Sequence, residues 1–370
     1  MKRFISHFNL QRLLCLSLCI LLLISLGACS QEQGAVSVLW VDADGNLIES
    51  KTISPTDSPT QRALPADTDD WHYTEWVVST SGNITVCTAV RISKTKITWL
   101  DADGTVLKED FQFGDLDEPS FDLPTSTDKW KYTNWNREIT ENGIAYTAQR
   151  TPNPAYFCGN VFQIIVKDKN GTAVSAGSGF VINDSGWFIT NNHVMDGGYS
   201  ANAFFDIPDK DKGTKYTALN ILGGSYHDEN KDIFIGKLEN YASIKEHYNL
   251  ITFTESYQED ETCYSVGYPN SSVELQINGG TIIEEYSDIY DKINGIYYIL
   301  SDAYIAPGSS GGILVNKNFE VIGITSIGLY ADANKEHYIS GGSIPTFTFK
   351  AQLNNLNDDN LKALPIIYGL

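Results

Sequence analysis

The chain has 370 residues, of which 42% are hydrophobic, 12% aromatic and 19% charged. That composition excludes a wholly disordered or collagen-like polymer and allows a sizeable core. With 46 acidic against 26 basic side chains the formal net charge is −20, so the surface repels phosphate backbones and argues against nucleic acid as a partner.

Lys2 and Arg3 precede an uncharged, mostly apolar run from Leu13 to Ala28. Those residues are too few for a bilayer span, which needs about 20, and suit the core of a signal peptide over residues 1–28. The run ends Leu26-Gly27-Ala28-Cys29-Ser30. This resembles the lipobox of bacterial lipoproteins, where cleavage precedes the Cys and acyl chains are added to it. The resemblance implies lipidation at Cys29, a membrane anchor and a place in the bacterial cell envelope, facing the periplasm or the exterior. Residues 30–34 are then a short polar tether.

Two copies of one pattern follow. Val38-Leu-Trp-Val-Asp-Ala-Asp-Gly-Asn-Leu-Ile48 is matched by Ile97-Thr-Trp-Leu-Asp-Ala-Asp-Gly-Thr-Val-Leu107, an offset of 59 residues. The offset persists: Trp71, Tyr73 and Trp76 match Trp130, Tyr132 and Trp135, and Thr88, Ala89 and Arg91 match Thr147, Ala148 and Arg150. Ungapped agreement over this length predicts an internal repeat, with modules over 35–93 and 94–152. Apolar alternation on both sides of Asp-Gly predicts strand, tight turn, strand. A calcium loop at Asp42/Asp44 or Asp101/Asp103 is the rival reading; it lacks the spacing and the terminal Glu that such loops use. The layout resembles the small β-grasp-like B-repeat modules of bacterial surface proteins. The matched tryptophans are read as cores of two small domains, with a glycan- or protein-binding surface as the alternative.

Past a stiff linker, Thr151-Pro-Asn-Pro154, short strand signals recur between turn residues over 155–350, which predicts a closed β-architecture. A short helix is expected over Ala351–Leu364, in a C-terminal tail of 351–370. Cys158 and Cys263 either pair or remain separate buried thiols, and no spacing suits a metal. The cofactor expectation is accordingly none.

Three passages carry chemistry: Gly177-Ser-Gly-Phe-Val-Ile-Asn-Asp-Ser-Gly-Trp-Phe-Ile-Thr-Asn-Asn-His193-Val194, Lys231-Asp232-Ile-Phe-Ile-Gly-Lys-Leu238, and Ser301-Asp-Ala-Tyr-Ile-Ala-Pro-Gly308-Ser-Ser310-Gly-Gly-Ile-Leu314. Their order and wording resemble the chymotrypsin-fold (trypsin-like) serine peptidases, nearest the bacterial HtrA (Deg) branch. Ser309 replaces the usual Asn or Asp before the nucleophile, and the PDZ module that often follows in that branch is not expected here.

The resemblance implies a mainly β chain: two β-rich repeat domains, then a chymotrypsin-like double β-barrel. It also implies a serine endopeptidase acting on protein or peptide substrates. A hydroxyl is a poor nucleophile at neutral pH and needs a base. Ser310 is the implied nucleophile, His193 the base and Asp232 the group that orients the imidazole. His227 and Asp228 are the rivals of the latter two. Gly308 and Ser310 would direct backbone N–H groups at the developing oxyanion. By resemblance, Tyr304, Ile305, Thr325, Ser326 and Ile327 line the primary substrate pocket. No Asp stands there to select Arg or Lys, which favours small or apolar guests. The alternative function is a binding or adhesion lipoprotein whose peptidase fold is inactive. An esterase is disfavoured, since the chain order Ser…Asp…His is not seen.

Overall fold

The structure is a computed structural model. It describes residues 36–54, 56–57, 59, 62–113, 121–209, 213–287, 297–332, 334 and 336–364. The signal segment and Cys29 lie outside the described residues. Contacts divide the chain into two units, one of residues up to Thr125 plus Tyr132–Arg150, the other of Ser126–Lys131 plus Thr151 onward.

The first unit is built from β1 (Val36–Val41), β2 (Leu47–Ile53), β3 (Trp71–Ser81), β4 (Ile84–Leu100), β5 (Val106–Phe113), β6 (Trp130–Thr140) and β7 (Gly143–Pro152). Asp42 caps the first turn as an Asx turn, its carboxylate accepting from the N–H groups of Asp44 and Asn46. Gly45 and Gly104 take the positive φ (88° and 87°) that the matched turns require. The strand, tight turn, strand pattern expected around Asp-Gly is present in both copies.

The repeat reappears as matched pairing. Val38 pairs with Thr85 in parallel register, and Ile97 with Ile144, the same relation one offset later. Each copy has its own small core: Val38, Trp40 and Cys87 in one, Ile97, Trp99, Ile144 and Tyr146 in the other. Trp76 and Trp135 each donate Nε1–H to a backbone carbonyl at 3.0 Å, that of Arg62 and that of Phe121. One 17-residue strand, β4, closes the first copy and opens the second.

In the second unit, Trp130 packs 4.6 Å from Phe319 between ring centroids, so this tryptophan is not in a repeat core. The first barrel comprises β8 (Val161–Lys167), β9 (Ala173–Val181), β10 (Trp187–Thr190), β11 (Ser200–Asp209), β12 (Gly213–Asp228) and β13 (Ile233–Leu238). It runs β8-β9-β10-β13-β12-β11 and closes through β11–β8. The second comprises β14 (Thr262–Gly267), β15 (Gln276–Ser287), β16 (Tyr298–Ser301), β17 (Ile313–Asn316), β18 (Val321–Tyr330) and β19 (Tyr338–Pro345), closed in the order β14-β15-β16-β19-β18-β17.

Strand alternation explains the packing. On β13, Phe234 and Leu238 fill the first barrel, while Ile233 and Ile235 join a second cluster with Val266, Ile313 and Ile324 of the other barrel. That cluster packs the barrels together into the chymotrypsin-like double-barrel architecture.

One expectation changes and one open alternative is decided. Ala351–Leu364 is not a single α-helix. It forms 3-10 turns at Lys350–Asn355 and Asp358–Asn360, then β20 (Lys362–Ala363), which adds to β12. Its Asn and Asp side chains bond the local backbone, as Asn357 does to the Asp359 N–H at 3.1 Å, which competes with helix formation. Cys158 and Cys263 are unpaired and buried, so the separate-thiol reading holds.

Candidate active site

β10 is wholly buried and ends at Thr190. The chain then makes one helical turn, Asn192–Met195, whose Val194 and Met195 enter the first-barrel core. That turn leaves His193 facing out, its side chain 51% exposed. Opposite, Asp232 stands directly before β13 with φ 53°, a left-handed conformation that a short polar residue tolerates. Its carbonyl is held by Asn191 Nδ2 at 3.1 Å. The carboxylate, 16% exposed, lies 3.0 and 2.9 Å from His193 Nδ1 and accepts the His193 N–H at 2.9 Å. In the neutral tautomer that donates Nδ1–H to Asp232, Nε2 carries the lone pair.

Ser310 sits between β16 and β17. Its hydroxyl donates to the Ser326 carbonyl at 2.9 Å. The Ser326 hydroxyl in turn donates to Asp232 Oδ2 at 3.0 Å. Ser326 thus joins Ser310 to the His193–Asp232 pair, and no direct hydrogen bond links His193 to Ser310 in this structure. Gly308 has φ 100° and Gly311 φ 87°, which only glycine adopts readily. Among the described residues, no acceptor takes the N–H of Gly308 or Ser310.

The two acidic and basic rivals lie elsewhere. Asp228 accepts from Tyr226 and from the Lys231 N–H. His227, on β12, pairs through its backbone with Phe234 of β13.

A cleft of about 390 Å³ opens at His193, lined also by Asn192, Asp196, Glu229, Tyr298 and Ile327. Of the residues expected to line the substrate pocket, Ser326 and Ile327 border this cleft. Tyr304 packs on the Tyr338 ring at 5.1 Å between centroids, and Ile305 is buried beneath Gly341. Thr325 is 0% exposed and its Oγ1 donates to the Ser309 carbonyl at 2.5 Å. Such a residue lines no pocket. Sequence reasoning gave Ser178 no role, yet it makes four hydrogen bonds at this site. The Gly-Ser-Gly wording is its one signal, and that wording does not say where the hydroxyl points.

Among the described residues, no group of three or more His, Cys, Asp or Glu could hold a metal ion, and no helix is long and apolar enough to cross a membrane.

Residues 177–324 match the family model described as the trypsin-like peptidase domain. The chain is 30% identical over 154 residues to a DegP-like periplasmic serine endoprotease of Hahella chejuensis, covering 42% of this chain and 30% of that protein. It is 32% identical over 155 residues to a do/HhoA-like periplasmic serine protease of Haemophilus influenzae, covering 40% and 30%. It therefore spans about a third of the length of the curated relatives it matches. Among solved structures, an HtrA-type protease with a tripeptide superposes at a TM-score of 0.44 and 21% identity, covering 57% of this chain and 65% of that one. In sequence, residues 177–324 are thus similar to the trypsin-like peptidase domain.

Proposed function

We propose that the chain is an extracytoplasmic serine endopeptidase, anchored in the bacterial cell envelope through lipidated Cys29. Residues 155–350 form its peptidase domain. The observation that carries this reading is the double hold of Asp232 on His193, with Ser326 tying the same carboxylate to the Ser310 hydroxyl.

The chemistry follows from those contacts. When a peptide enters the cleft, the Ser310 hydroxyl turns from the Ser326 carbonyl toward His193 Nε2, a tightening expected of catalytic hydrogen bonds on substrate binding. Nε2 takes the hydroxyl proton as Oγ attacks the scissile carbonyl carbon. Asp232 stabilises the imidazolium without taking its proton. The N–H groups of Gly308 and Ser310 receive the oxyanion, and removing one such donor costs about 10²- to 10³-fold in kcat. His193 returns the proton to the leaving amine, and water hydrolyses the acyl-enzyme by the same route.

The periplasmic relatives support an extracytoplasmic location. Ile327 at the cleft, with no acid among the expected pocket residues, supports small or apolar side chains as guests. The repeats, residues 35–93 and 94–152, would recruit substrate or bind a glycan or protein ligand.

A second reading, an inactive fold retained as a binding lipoprotein, draws on the missing His193–Ser310 hydrogen bond. A fluorophosphonate probe separates the two. The peptidase reading expects labelling of folded wild type that Ser310→Ala abolishes, together with cleavage of fluorescent casein. Absence of labelling, or labelling that survives the substitution, overturns it.

A further inference from the structure

We infer that Thr325 and Ser178 are positioning residues of the oxyanion-binding loop, their hydroxyls holding two consecutive carbonyls so that the N–H groups of Gly308 and Ser310 converge. This rests on the peptidase reading above.

In a trans peptide the N–H points away from the preceding C=O, so whatever holds a carbonyl aims the next N–H. Four carbonyls in a row are held here. Pro307 O accepts from Asn270 N at 2.6 Å, and Gly308 O from Ser178 Oγ at 2.7 Å. Ser309 O accepts from Thr325 Oγ1 at 2.5 Å and Gly312 N at 2.9 Å, and Ser310 O from Ser178 N at 2.7 Å. The two proposed donors belong to the first and third of these peptides. Thr325 holds the third directly. Ser178 holds the second, which lies between them, and the fourth.

The middle peptide is the weak point of such a loop. It follows Gly308 at φ 100°, and glycine adopts many backbone conformations at little steric cost. Nothing in that residue's own shape prevents the peptide from turning over and carrying a donor with it. The restraint comes from both ends of that peptide: the Ser309 N–H donates to Ala306 O at 2.9 Å, and the Ser178 hydroxyl holds Gly308 O, its proton having one direction to go. Ser178 Oγ accepts the Tyr268 N–H at 3.0 Å, which leaves the hydroxyl hydrogen for Gly308 O.

Ser178 is itself fixed. It is 0% exposed, and its carbonyl accepts from Thr190 Oγ1 at 2.6 Å. Thr325 is equally committed: its N–H donates to Gly312 O at 3.0 Å, and its carbonyl accepts from Gly311 N at 2.8 Å. Both hydroxyls are buried on strands, where an apolar side chain would pack without having to find a hydrogen-bond partner. Neither touches the cleft, so each acts through the loop.

The test uses the full-length chain and compares wild type with Thr325→Val, which keeps the shape, and Ser178→Ala. Thr325→Ser keeps the hydroxyl and serves as the rescue. Readouts are kcat and KM on fluorescent casein, the rate of fluorophosphonate labelling, and the thermal transition. The expected result is a fall in kcat and labelling rate of about tenfold or more. KM should change less than about twofold, and Thr325→Ser should keep wild-type kcat within about threefold. Should Ser178→Ala fail to fold, Thr325→Val against Thr325→Ser decides alone. Folded variants that label and turn over at the wild-type rate, or that raise KM at unchanged kcat, overturn this inference and leave the peptidase reading intact. A wild-type chain that neither labels nor cleaves overturns both.

Discussion

Asp232 holds His193 twice, by the ring and by the main chain, its Oδ1 lying 2.9 Å from the His193 N–H and 3.0 Å from Nδ1. The two bonds respond differently to substitution. Asp232→Asn keeps an oxygen for the main-chain N–H but loses the charge that fixes the tautomer. The fold should survive while kcat falls by about 10⁴-fold. Steady-state hydrolysis with circular dichroism as the fold control checks this. A loss below about tenfold would show that the carboxylate does not orient the base.

Ser326 acts at the same carboxylate through its side chain and at Ser310 through its carbonyl. Ser326→Ala removes only the first contact. A hydrogen bond to a charged group is worth about 1.5–3 kcal/mol. The expected cost is roughly a tenfold drop in kcat with labelling still confined to Ser310, measured by kinetics and by mass mapping of the labelled peptide.

Gly311 has no room for a side chain. A Cβ there would stand 2.1 Å from both Ser178 O and Thr190 Oγ1, at a φ of 87°. Gly311→Ala must push the nucleophile loop away from β9. The expected outcome is loss of labelling and a stability loss of about 2 kcal/mol or more by urea unfolding.

Asp206 is 8% exposed on β11; its Oδ2 accepts the Leu275 N–H at 2.8 Å, and its Oδ1 meets no partner. Burial pushes its pKa up, with Glu274 adding to the rise. The folded state therefore binds this proton more tightly than the unfolded state does. Its stabilising contribution is full below the ordinary carboxylate range and is lost as pH rises through the native value. Asp206→Asn should melt at or above wild type near pH 7, about neutral, and lose that advantage at about pH 4. Thermal melts at both pH values decide it; an advantage that grows on acidification would contradict the sign.

Burial raises the Cys158 thiol to about 11 and the Cys263 thiol to about 12. Thiolate is then scarce at neutral pH. Iodoacetamide should modify neither residue until the chain unfolds, and reductant should leave the melting temperature unchanged. Intact-mass spectrometry before and after denaturation reads both.

Much of this was legible because strands announce themselves by alternation. Ile233 to Leu238 placed Asp232 at the mouth of a core strand, and the contacts of His193, Asp232, Ser326 and Ser310 bring the three motif passages together. What stayed hidden depends on where one small polar atom points. Thr325 was placed in the pocket wall by resemblance alone; on β18 alternate residues face opposite sides, so Ser326 meets Asp232 while Thr325 turns to the loop. Ser178 lies in a quoted passage, but its value comes from Gly308, 130 residues away. The C-terminal segment was expected to be a helix, and its Leu353, Leu356 and Leu361 do pack on the core. The Asn357 side chain accepts the Asp359 N–H and caps the second 3-10 turn instead.

The long strand β4 carries one further meaning. An ordinary tandem duplication leaves two beads that can be trimmed, swapped or melted separately. Here Ser93 and Lys94, the seam between the copies, lie in mid-strand, paired to Trp71 and Phe113. A protease or a cloning boundary at that seam would cut one continuous strand that pairs with β3 on one side of the cut and β5 on the other, so neither half could be trimmed without shortening the strand of its neighbour.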